Sequence, residues 1–150
     1  MIYLAADHRG FALKEALKPF LANQGYEVKD FGALTLDIAD DYPDFASAAV
    51  EALVLDPEGV AILSCGSGHG MDMLANKYKG IRSALAFNAH VAKQSREHEN
   101  SNVLVLPSDW MKETEAKDIV KIWLAAEFTD DERHRRRLQK ILEIEKINFK

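Results

Sequence analysis

Gly59-Val60-Ala61-Ile62-Leu63-Ser64-Cys65-Gly66-Ser67-Gly68-His69-Gly70 is the stretch that decides the fold. Its first half is almost wholly apolar, as a central parallel strand covered on both faces requires. Its second half sets Gly66, Gly68 and Gly70 between that strand and a helix predicted near Met71 to Tyr78. A strand, a glycine-rich turn and a helix in that order form one unit of a parallel α/β sheet, with ligands expected at the carboxyl ends of the strands.

The same alternation extends in both directions. Upstream, Ile2 to Ala6 is an apolar run that ends in Asp7-His8-Arg9-Gly10, and Phe11, Leu13, Ala16, Leu17, Phe20 and Leu21 then recur at helical spacing. Gly25 stops that helix, and Tyr26 to Phe31 alternates weakly as a second strand. Residues 32–41 carry no period. Phe45, Ala48, Ala49, Ala52 and Leu53 mark a further helix, entered through Tyr42-Pro43-Asp44, where proline suits a helix start. Downstream, Ile81 to Phe87 reads as a fourth strand, Ala89 to His98 as a helix, Val103 to Leu106 as a fifth strand and Thr114 to Ala126 as a helix. The predicted class is α/β: a three-layer, Rossmann-like α/β/α arrangement on a five-stranded parallel sheet. A helix over about 130–147 is appended, with an apolar stripe of Leu138, Ile141, Leu142 and Ile147 and a basic start at Arg133, Arg135, Arg136 and Arg137. With no repeat, low-complexity stretch or linker, residues 1–150 are expected to form one domain.

Composition narrows the function. The 150 residues hold 19 Lys+Arg against 24 Asp+Glu, a net charge of −5, which argues against nucleic-acid binding driven by overall charge. The apolar runs fall far short of the roughly 20 residues of a membrane helix, so no membrane partner is expected. A single cysteine, with no export-type segment ahead of the first strand, points to a reducing, cytoplasmic setting.

The glycine turn is the centre of the candidate chemistry. It presents backbone N–H groups toward an anion and sets Cys65 where a helix dipole favours thiolate, a base or nucleophile near neutral pH. The alternative is an inert buried cysteine beside a tight turn. The spacing excludes a dinucleotide fingerprint, a P-loop and a nucleophile elbow, and Cys65 with His69 is too sparse for a zinc site. Asp7 and His8 end the first strand and are expected to face the same crevice, although Asp7 would also serve as a helix cap. His98 closes a helix, where it would also complement the helix C-terminus. Arg133 and Arg137 share a helix face beside His134, a combination suited to phosphate or simply to water.

Taken together, Asp7-His8-Arg9-Gly10 with Leu13-Lys14, Asp41-Tyr42-Pro43, Cys65-Gly66-Ser67-Gly68 through Ala75-Asn76-Lys77, Gly80-Ile81-Arg82, Arg96-Glu97-His98 with Asn102-Val103-Leu104, and Arg133-His134 with Arg137 resemble the type B ribose-5-phosphate isomerase family. That family also includes the subunits of galactose-6-phosphate isomerase, and the resemblance covers nearly the whole chain. It implies a cofactor-free aldose–ketose isomerase of a sugar phosphate, ribose 5-phosphate before others, working through a cis-enediol with no metal. It further implies a homodimer, or a dimer of dimers, whose C-terminal helix packs on the partner subunit and reaches its active site. By resemblance Cys65 is the base; Ser67 and the backbone of Gly66, Gly68 and Gly70 stabilise the oxyanion; Asp7 and His98 assist ring opening. His8 and Tyr42 contact sugar hydroxyls with Asn100 nearby, and Arg133, His134 and Arg137 bind phosphate.

Three positions depart from the family pattern. Ser67 stands where threonine is common, His69 where a small apolar residue is common, and Leu106-Pro107-Ser108-Asp109 replaces a Leu-Gly-x-Arg segment whose arginine joins the phosphate site. Asp109 thus sets a negative charge where a cation is expected. An isomerase of a hexose 6-phosphate or of an unphosphorylated sugar, and a non-catalytic metabolite-binding homologue, stay open beside the leading reading.

Overall fold

The computed structural model describes residues 1–149. Strands and helices alternate along the chain as β1 (Ile2–Ala6), α1 (Phe11–Asn23), β2 (Val28–Asp30), α2 (Tyr42–Val54), β3 (Val60–Cys65), α3 (His69–Ala75), β4 (Ser83–Leu85), α4 (Ala89–Glu99), β5 (Val103–Pro107), α5 (Glu113–Ala125) and α6 (Glu132–Asn148). All strand pairs are parallel, in the order β2-β1-β3-β5-β4.

Period-two alternation divides the central strands between two cores. Ile2, Leu4, Ile62, Leu104 and Leu106 face one side, where Leu13, Leu17 and Leu21 of α1, Ala92 of α4 and Ile119, Val120 and Trp123 of α5 cover them. Tyr3, Ala5, Ala61, Leu63, Cys65, Val103 and Val105 face the other, under Ala46, Ala49 and Val50 of α2 and Met71 and Ala75 of α3. This is the three-layer α/β/α architecture expected from the sequence.

Two strands are shorter than the sequence suggests. Tyr26 to Phe31 contributes only Val28–Asp30, and Ile81 to Phe87 only Ser83–Leu85. Both are edge strands, paired on one side, so favourable residue types extend beyond the pairing that would order them. Helix α3 begins at His69, earlier than expected, and ends at Ala75. A 3-10 turn at Ser108–Trp110, which has no periodic signal, follows β5.

The strand order fixes where a site can form. From β1 the chain moves outward to β2 and then returns past β1 to β3, so the connections after β1 and β3 leave the sheet toward opposite faces. A crevice opens between them. Register sets Ala6 beside Ser64 and Cys65 beside Pro107, which brings the turns after β1, β3 and β5 to one edge. Among the described residues no helix is long and apolar enough to cross a membrane.

Candidate active site

At that edge a cavity of about 400 Å³ is lined by Asp7, Arg9, Tyr42, Cys65, Gly66, Ser67, Gly70, Asp109 and Trp110. Of the two residues after β1 expected to face one crevice with Cys65, Asp7 lines the cavity and His8 does not; Tyr42, Ser67, Gly66 and Gly70 join Asp7 and Cys65 there. Gly68 caps α3 in the left-handed conformation, φ 79°, which lets the turn reverse directly beneath the cavity. Tyr42 opens α2 and lays its ring against Gly70, where a Cβ would come within 2.5 Å of Cζ.

Cys65 is buried. Burial pushes its thiol above the ordinary thiol value; N–H groups of Met71 and Gly68 that hydrogen bond to the sulfur pull it down, and the carboxylates of Asp7 and Asp109 raise it further. The net direction is upward, so the expectation that the helix start favours thiolate is corrected. The amides are present, but desolvation and two anions outweigh them.

Asp7 is buried and accepts backbone N–H bonds from Arg9 at 2.9 Å and Gly10 at 3.0 Å through Oδ1. These bonds close the turn ahead of α1, whose N-cap is Gly10 with no side-chain cap, so Asp7 shapes that turn rather than capping the helix, and it lines the cavity as well. His8 is held by a partner that the sequence reading missed. Asp40, in the loop before α2, accepts the His8 backbone N–H at 3.0 Å and lies 2.6 Å from Nδ1. The other Asp40 oxygen is buried without a hydrogen-bond partner. Asp7, His8 and Asp40 bring potential ligand atoms within 4.8 Å of one another; the Nδ1 contact lets Asp40 orient the His8 ring, while the second Asp40 oxygen has no partner among the described residues. Ser67 is exposed, its Oγ 3.4 Å from the His69 N–H, and His69 itself points to the surface.

The remaining predicted residues gather elsewhere. His98 ends α4 and stacks on His134 of α6, with ring centroids 4.3 Å apart. His134 is 2% exposed and its Nδ1 lies 2.9 Å from Thr129 Oγ1. It braces His98 rather than lying at the surface with Arg133 and Arg137, which are exposed. Asn100 makes the left-handed turn, φ 47°, that leads toward the start of β5, and its carbonyl accepts from Arg82 Nε at 2.8 Å. Since Cys65 pairs with the far end of β5, His98 and Asn100 lie at the amino edge of the sheet, opposite the cavity.

A parallel sheet with a crevice at its switch point, lined by a buried sulfur, two carboxylates, a guanidinium and two hydroxyls, has the form of a small-molecule site of the α/β class. Residues 2–141 match the Ribose/Galactose Isomerase family, and the chain belongs to it. The "Probable ribose-5-phosphate isomerase B" of Mycoplasma pneumoniae is 39% identical over 97% of this chain and 95% of its own length. Among solved structures, ribose-5-phosphate isomerase B of Clostridium thermocellum superposes with a TM-score of 0.93 at 41% identity, covering 98% of both chains. The Mycoplasma genitalium enzyme, described with bound ribulose-5-phosphate, superposes with a TM-score of 0.93 at 38% identity, covering 97% of this chain and 95% of its own.

Proposed function

We propose that this chain is a cofactor-independent aldose–ketose isomerase that interconverts ribose 5-phosphate and ribulose 5-phosphate, acting as a homodimer whose sites each draw on two subunits. The observation that carries the reading is the convergence of Asp7, Tyr42, Cys65, Gly66, Ser67 and Gly70 on one cavity in a member of this family. The site at the switch point is incomplete in one subunit, because His98, Asn100, Arg133 and Arg137 lie away from it. A second copy supplies them.

In the reaction the Cys65 thiolate takes the C2 proton of the open-chain aldose while O1 is protonated, giving the cis-enediol. Return of the proton from sulfur to C1, with loss of the O2 proton, leaves the ketone at C2. Backbone N–H groups of residues 66–70 and the Ser67 hydroxyl stabilise the oxyanion as it develops. Asp7 and the partner's His98 assist ring opening, with His134 bracing that imidazole. His8, oriented by Asp40, and Tyr42 contact the sugar hydroxyls near the partner's Asn100, while the partner's Arg133 and Arg137 hold the phosphate. No electron leaves the substrate, so no redox cofactor takes part. A cytoplasmic location suits a base that must remain a free thiol.

The test is turnover of ribose 5-phosphate by the wild-type protein and Cys65→Ala, with allose 6-phosphate and galactose 6-phosphate for comparison. Loss of a general base predicts a fall in kcat of about a thousandfold in the variant. Undiminished activity in Cys65→Ala would remove the base assignment. Preference for a hexose phosphate would change the substrate, and binding without turnover would make the chain a metabolite-binding homologue.

A further inference from the structure

Three separate turns are fastened together at the rim of the Cys65 cavity. Ser108 Oγ lies 3.0 Å from the carbonyl oxygen of Arg9 and 2.9 Å from that of Cys65. The Asp109 N–H donates to the Gly66 carbonyl at 3.0 Å. The 3-10 turn after β5 is thereby tied to the turns after β1 and β3, and on this platform Arg9 Nη2 donates to Asp109 Oδ2. The pair lies directly across Gly66, where a Cβ would come within 2.7 Å of both Arg9 Nε and Asp109 Oδ2. Glycine at 66 is what permits this approach.

Among the described residues lining the cavity, Arg9 is the one cation, facing the carboxylates of Asp7 and Asp109. A guanidinium carries five N–H donors in a fixed fork. Asp109 engages Nη2 and, at 3.4 Å, Nε; the guanidinium makes no other hydrogen bond among the described residues, and the Arg9 side chain is 58% exposed. A forked donor held still at the mouth of a cavity by a carboxylate behind it is suited to an oxyanion with several acceptor oxygens.

We infer that Arg9, positioned by Asp109, is the cation that this subunit contributes to the phosphate end of the substrate, and that it sets the preference for a phosphorylated over an unphosphorylated sugar. Asp109 then does not oppose the substrate, because its charge is matched by Arg9. It is a positioning residue. The inference rests on the isomerase reading above, and the experiment separates the two.

The experiment compares wild type, Arg9→Met and the double variant Arg9→Met/Asp109→Arg, each as the full chain. It measures kcat and KM on ribose 5-phosphate and on ribose, and the Kd for inorganic phosphate by calorimetry. Arg9→Met is expected to raise KM for ribose 5-phosphate and the phosphate Kd by about tenfold, the size of one charge-assisted contact, with kcat and the activity on ribose little changed. The double variant, which sends a guanidinium to the same rim from the other end of the pair, is expected to recover most of the phosphate affinity. An unchanged KM and phosphate Kd in Arg9→Met would overturn the inference, and so would an equal loss on ribose. Phosphate binding that weakens in Arg9→Met, in a wild-type protein that turns over no sugar phosphate, would uphold the inference while removing the isomerase assignment.

Discussion

At Cys65 the helix start and the cavity pull in opposite directions. Two amides favour the thiolate, but burial and the carboxylates of Asp7 and Asp109 favour the thiol more strongly. A base that must be deprotonated, and whose proton is held above the ordinary thiol range, gives kcat/KM that rises with pH. The ultraviolet absorbance of the thiolate is expected to titrate above that range in the free protein. In Asp109→Asn it is expected to titrate lower, because one of the raising charges is gone; an unmoved titration would mean that Asp109 does not act on the sulfur. The orientation of His8 belongs to the same scale. Asp40→Ala removes the acceptor from its Nδ1 and is expected to lower kcat/KM by about tenfold, the cost of a misplaced group, with little change in Tm. The chemistry-bearing types at 7, 8, 65 and 67 were readable from sequence because each ends a strand or lies in the short turn between a strand and the next helix. Asp40 was not. It lies 32 residues from His8 in a stretch without a period, and only the folded loop brings them together.

At the level of elements, α1 and β2 are joined through a buried cation of the first helix. Lys14 is 2% exposed, and its Nζ donates to Asp30 Oδ2 at 2.7 Å and to Glu15 Oε1 at 2.5 Å. Burial alone would raise the Asp30 carboxyl, yet the ammonium groups of Lys14 and Lys18 and the Gly32 N–H hold it below the usual range. A carboxyl depressed in the folded state stabilises the fold above its unfolded pKa, and that contribution is lost as pH falls through the lower folded value. Lys14→Met is therefore expected to lose about 3 kcal/mol in denaturant unfolding near neutral pH, by leaving a buried carboxylate without one of its partners. Part of that difference should disappear in acid; a loss independent of pH would contradict the ion-pair account. The period-two and helical signals were strong enough to give every strand and every α-helix. They misjudged extents at the two edge strands, where pairing on one side decides length, and they contained nothing of the turn at Ser108–Trp110, which is fixed by hydrogen bonds to residues distant in the chain.

Across the whole molecule the candidate residues form two groups. One lines the cavity at the carboxyl ends of the strands; the other, His98, Asn100, His134 and the exposed Arg133 and Arg137, lies around the α4–α6 junction. Helix α6 is fastened to its own subunit at both ends of its length, through the His98–His134 stack and through Glu145, whose carboxylate accepts the Gly80 N–H at 3.2 Å. It nevertheless leaves Ile144 58% and Ile147 70% exposed. Nothing in residue spacing alone separates a site made within one subunit from a site made between two, because spacing gives the face of a helix and not what covers it. A dimer in which each subunit completes the other's cavity accounts for both groups.

Mixed dimers test this most directly. In this account Cys65→Ala lacks the base and the double variant Arg133→Ala/Arg137→Ala lacks both phosphate contacts from the neighbouring subunit, so each is nearly inactive as a homodimer when assayed at ribose 5-phosphate well below the wild-type KM. Unfolded together and refolded, they should give mixed dimers with one intact site, and about a quarter of wild-type ribose 5-phosphate turnover if the subunits reassociate at random. Activity no greater than that of the separate variants, in a sample shown to contain mixed dimers, would contradict a site shared between subunits.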